Sequence, residues 1–129
     1  MGNMKGSASS TAENAGAAMK AQLRCDLRTA MRRGDKGETA LLRELVAALD
    51  NAEAVPLRQE RPSVDRHAFG DGSAEGERRV LTRRDVHALM LGEMKARLEA
   101  AAEFARLGAE ARSIAVDAEI EILRRYVLK

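Results

Sequence analysis

Few side chains in this sequence are equipped for chemistry, and their spacing limits what each can do. His67 and His87 are the only imidazoles. Neither has a glutamate three residues before it, as carboxylate-bridged metal sites on helices require, and no HExxH occurs. His67 stands near Asp65, Asp71 and Ser73 in a glycine-rich stretch. A Ser–His–Asp relay needs groups held rigidly in place, so no catalysis is expected there. Residues 70–76, GDGSAEG, brush against a phosphate-binding loop, but the spacing is off by one and no lysine follows. Cys25 is the single cysteine and cannot form an internal disulfide. It is expected as a small hydrophobe in or near the core; Arg24 and Arg28 beside it are the features that would instead make a reactive thiolate. Glu93 precedes Arg97 and Glu121 precedes Arg125 by four residues, which predicts solvated ion pairs on helix surfaces rather than acid–base dyads. From the residues, the chain is expected to have no catalytic centre, no cofactor and no bound metal.

The charge pattern is more informative. Lys20, Arg24, Arg28 and Arg32 recur every four residues, with Arg33 and Lys36 at the end of the series. On a helix that spacing stacks them into one ridge, where like charges disfavour the helix slightly. One reading is a solvated ridge whose aliphatic stems lie beside the core. The other is a contact for phosphates or for an acidic partner.

Helices must position these groups. Ala, Leu, Glu, Arg and Met dominate, and strand-type alternation is absent. Met19, Leu23, Leu27, Ala30 and Met31 form an apolar stripe on a helix predicted over 15–33, which Gly34 ends. Asp35 is placed to cap a second helix over 36–54, with Glu38 as its capping-box partner and Leu42, Leu45, Val46, Leu49 and Ala52 on the inner face. The pattern then collapses over residues 55–80, which hold Pro56, Pro62, Gly70, Gly72 and Gly76 and read as a long mobile loop. Thr82 and Asp85 form a second capping box, opening a helix over 83–107 with Val86, Met90, Met94, Arg97, Leu98, Ala101 and Ala105 inward. Gly108 separates it from a last helix over 110–127, where Val116, Ile120, Leu123 and Val127 share a face beside Ile114 and Ala118. The expected fold is all-α: two N-terminal helices, a long flexible loop, then a helical hairpin, packed as a small four-helix domain.

The 129 residues suit one domain, here expected over 17–129 after a disordered tail at 1–16. That tail lacks the apolar core of a signal peptide, and no apolar run approaches the ~20 residues of a membrane span. With 22 basic and 20 acidic side chains, the net charge of +2 is not gathered into one cationic run. The single cysteine fits a reducing compartment, so the cytoplasm is the expected location.

Two segments resemble a known family. Residues 23–43 read LRCDLRTAMRRGDKGETALLR. Glu103-Phe104-Ala105-Arg106-Leu107-Gly108 is followed by residues 117–126, DAEIEILRRY. In order and spacing these are similar to the N-terminal helical domain of the YqeY family, related to the tail of the GatB component of the glutamyl/aspartyl-tRNA amidotransferase. The resemblance covers about residues 18–128 apart from the central loop. Ala109 and Ala111 depart from it, standing where the family carries Arg and Asp, as does Leu128, where it carries Pro. The chain ends where the family's second, smaller helical domain would begin. The resemblance implies a non-catalytic accessory module associated with tRNA or an amidotransferase-related protein, any ligase label being inherited from the family. On this reading Lys20, Arg24, Arg28, Arg32, Arg33 and Lys36 make the contact. The alternative is a protein-interaction adaptor with no RNA role, whose long loop orders on a partner.

Overall fold

The computed structural model describes residues 14–54 and 78–127, and all helices lie where the apolar spacing and the punctuating glycines put them. Helix α1 spans Ala15–Arg33, α2 Lys36–Ala54, α3 Arg83–Arg106 and α4 Glu110–Val127. Asn14 caps α1 by accepting the Ala17 N–H at 3.1 Å. Gly34 ends it in the left-handed conformation, φ 73°, its N–H turned back to the carbonyls of Ala30 and Met31. Asp35 opens α2 by accepting the Glu38 N–H at 3.0 Å. The reciprocal half of that capping box does not form, because the Glu38 carboxylate is drawn to Arg33 and Arg125. At Thr82 both halves form: Thr82 Oγ1 accepts from Asp85 N, and Asp85 Oδ2 accepts from Thr82 N. Gly108, φ 79°, makes the turn into α4.

Helices α1 and α2 form one antiparallel hairpin and α3 and α4 another, and the hairpins meet through α1 on α3 and α2 on α4. One apolar core runs through all four, built on Leu23, Leu41, Leu42, Leu45, Leu49, Leu81, Met90, Leu123 and Tyr126. Each fully buried leucine stabilises by roughly 1.5–3 kcal/mol. The chain entering α3 ties the open ends of the first hairpin. The Leu81 carbonyl accepts from Ala15 N at 3.1 Å and Gly16 N at 3.3 Å, and Arg79 N donates to the Glu53 carbonyl at 2.7 Å. Two otherwise unpaired amides at the start of α1 are thereby satisfied.

Several residues sit differently from their expected places. Gly16, placed in the predicted 1–16 tail, is instead buried against Leu81 and Glu53 inside α1. Residues 1–13 of that tail, and 55–77 of the predicted 55–80 loop, lie outside the described residues. Cys25 is exposed, not near the core. It follows buried Leu23 by two residues, about 200° around the helix, on the far side. Leu41 joins the core without having been expected there. Met31, Leu98 and Ile114 are 50%, 50% and 60% exposed, and Ala105 and Ala118 are also exposed. For Leu98, Ala105 and Ile114 the cause is length: the core shared by four helices reaches only to Met94 on α3, and beyond Arg97 the second hairpin has only itself to pack on.

The charged residues of that hairpin also behave differently from solvated pairs. Arg97 gathers Glu44 at 2.9 Å, Glu93 at 2.7 Å and Glu119 at 2.8 Å, so one guanidinium joins α2, α3 and α4. Arg125 bypasses Glu121 and reaches buried Glu38 on α2 at 2.8 Å. Glu121 is left to Arg124 at 3.4 Å.

Candidate nucleic-acid interface

A helix turns about 100° per residue, so each four-residue step carries the side chain about 40° further round. The basic series on α1 is therefore a slanting ridge, and its ends have different surroundings. At the inner end, Lys20 Nζ lies 2.8 Å from Asp50 Oδ1 and 2.7 Å from Glu53 Oε1. Its side chain is only 13% exposed. Burial pulls the ammonium pKa down, but the hydrogen bonds and charges of Asp50 and Glu53 outweigh that and leave it raised. Lys20 is thus a link between α1 and α2, not part of an open contact surface. Arg33, beyond the outer end, pairs with Asp35 at 3.2 Å and Glu38 at 3.1 Å.

Arg24, Arg28 and Arg32 remain, all exposed, and none forms an ion pair among the described residues. Arg32 makes only a long contact, 3.5 Å, to Thr29 Oγ1. Lys36 is exposed in the first turn of α2. Arg32 and Arg33 also have a local role, since cations in the last turn complement the helix dipole. Arg24 and Arg28, in mid-helix, have no such compensation. Arg24 contributes to holding the Asp50 carboxyl below its ordinary range, behind the Lys20 hydrogen bond that is the main cause.

The structure adds a cation that spacing along α1 could not reveal. Arg43, exposed on α2, extends its Nη2 to within 3.9 Å of Met31 Sδ, across the groove between α1 and α2. Met31 neighbours Arg32 in the chain and lies one turn beyond Arg28, so Arg43 borders the same surface from the second helix. The only hint in the sequence is a basic residue on the outer side of the next helix; which helix face meets which is a tertiary fact. The surface so formed carries guanidinium groups and a thioether. It can accept an anion through charge-assisted hydrogen bonds.

The other chemistry-bearing residues stay apart from it. His87 is exposed on α3, and His67 and the 70–76 stretch lie outside the described residues. Among the described residues no three His, Cys, Asp or Glu side chains are grouped as metal ligands, and no helix is long and apolar enough to cross a membrane. No family model, curated protein or solved structure matches the chain.

Proposed function

We propose that this chain is a non-catalytic helical module that contacts RNA phosphates, tRNA being the first candidate, through Arg24, Arg28 and Arg32 on α1 with Arg43 beside them. The observation that supports it is the unequal fate of the basic series. Lys20 and Arg33 are consumed by carboxylates of the fold, whereas three arginines in successive turns stay exposed without an ion pair among the described residues. Like charges so arranged repel, and phosphates relieve that repulsion with charge-assisted hydrogen bonds. The resemblance to the YqeY family and to the amidotransferase tail points the same way.

The test replaces Arg24, Arg28 and Arg32 together by Gln, nearly as good a helix former. Stability should hold or rise slightly. Affinity for tRNA should fall, and the slope of log affinity against log salt should drop by roughly 0.9 for each duplex phosphate no longer neutralised. Wild-type protein that binds tRNA no better than the triple variant would overturn the reading. A second reading, a protein-interaction adaptor, is favoured by the apolar side chains at the far end of the second hairpin, where Leu98, Leu107 and Ile114 are 50%, 67% and 60% exposed. It expects partner capture to survive the arginine changes and to disappear on Leu98→Asp with Ile114→Asp.

A further inference from the structure

On the opposite flank of α1 from the arginines, the start of α1, the first turns of α3 and the end of α4 enclose an open cleft of about 750 Å³. That size falls within the range of small-molecule sites, roughly 300–1,000 Å³. Its apolar part comprises Met19, Val86, Met90 and Val127, with Ala15 and Ala18 at one side. Tyr126 also lines the cleft but is buried; the other groups are flexible or aliphatic, adapted to a chain rather than to a flat ring.

The two arginines among the described lining residues are charges of one sign. Arg83, Arg84 and His87 stand on α3, Gln22 faces them from α1, and among the described residues no carboxylate lines the cleft. Two described acids adjoin the lining residues, and both are already engaged. Asp26 accepts from Gln22 Nε2 and from the Tyr126 hydroxyl. Asp85 accepts from the Thr82 amide and pairs with Arg79 at 3.8 Å. Neither Arg83 nor Arg84 forms an ion pair among the described residues. Both also occupy the first turn of α3, where the helix dipole disfavours cations. An anion set there is attracted by the dipole and by both guanidiniums at once.

We propose that this cleft binds an amphiphilic monoanion, an aliphatic chain bearing a carboxylate. The tail lies on Met19, Ala18 and Val127 above the nearly fully buried Val86, and the carboxylate meets Arg83 and Arg84 with His87 beside them. The site is separate from the arginine surface of α1 and does not depend on the RNA reading.

Calorimetry and amide chemical-shift mapping on the full chain test this with decanoate, against decylammonium (same tail, opposite charge) and acetate (same head, no tail). Decanoate should bind saturably, shifting Val86 and Met90, while the two controls should not. Arg83→Gln with Arg84→Gln alters only exposed residues and should weaken decanoate by about tenfold or more. Ala18→Trp, at an exposed position on the cleft wall, should obstruct binding with the core intact. Absence of decanoate binding would overturn the proposal. So would equal binding of decanoate and decylammonium, or affinity unchanged in the double arginine variant.

Discussion

Arg97 shows how one side chain can be read correctly in part. Its pairing with Glu93 follows from four-residue spacing, but Glu44 lies 53 positions away in the chain and Glu119 on the antiparallel helix. With 14% of its side chain exposed, Arg97 is the desolvated member, while Glu44 at 64% and Glu119 at 36% keep much of their water. Arg97→Met keeps the stem and removes the charge, and rehydration of the carboxylates limits the loss. A destabilisation of about 1–3 kcal/mol in urea denaturation is expected. Tyr126 is a second case. Burial first, then its hydrogen bond to Asp26, push the phenol well above its ordinary 10.0. A group whose pKa is raised by folding contributes stability that is complete below the unfolded value and lost as pH rises towards the folded one. Stability should therefore fall above about pH 10, and Tyr126→Phe should flatten that limb; Lys20, also raised, accounts for the slope that remains. On the acid side the sign reverses. Asp50, held down chiefly by the Lys20 hydrogen bond, and Asp85, held down by the Thr82 amide and hydroxyl, contribute stability above 3.8 that is lost as pH falls below it.

At the scale of elements, glycines separate two opposite effects of one substitution. Gly34 ends α1 at φ 73°, where a side chain is strained even though nothing lies within 4 Å of a Cβ there. Gly92 sits inside α3 at an ordinary helical angle, also with nothing within 4 Å. Gly34→Ala should destabilise by about 1 kcal/mol, and Gly92→Ala should stabilise by up to about 1 kcal/mol, both read from thermal melts. Element boundaries were legible because caps and terminators act within a few residues. The Thr82–Asp85 box formed in full for that reason. The Asp35–Glu38 box formed by half, because the Glu38 carboxylate found stronger partners in Arg33 and in Arg125, 87 positions away. A local rule gives way when a distant cation reaches the same group.

For the molecule as a whole, the decisive contrast is between apolar residues inside and outside the shared core. Leu123 on α4 is fully buried, whereas Ile114 on the same helix is 60% exposed. Leu123→Ala should cost about 2–5 kcal/mol, while Ile114→Ala should stay within about 0.5 kcal/mol, measured by chemical denaturation. Comparable losses would mean that the far end of the hairpin is covered by something more than α3. Leu98, predicted inward on α3, becomes surface because the core shared by the four helices reaches only to Met94 on that helix, and periodicity carries no information about how a neighbouring helix crosses it.

Spacing along the chain was enough to specify the helices, their order, their ends and most of the leucines that bury. Helical periodicity, capping and glycine conformation are properties of chain neighbours. The same spacing specified that cations would recur along one side of α1. Which of those cations stay open is a tertiary outcome. Lys20 and Arg33 meet carboxylates of Asp50, Glu53 and Glu38 on α2, Arg43 reaches from α2 to Met31 on α1, and the cleft beside Arg83 and Arg84 exists only where α1, α3 and α4 converge. Pairing and enclosure depend on distances between segments remote in sequence, and those distances are set by how the two hairpins pack.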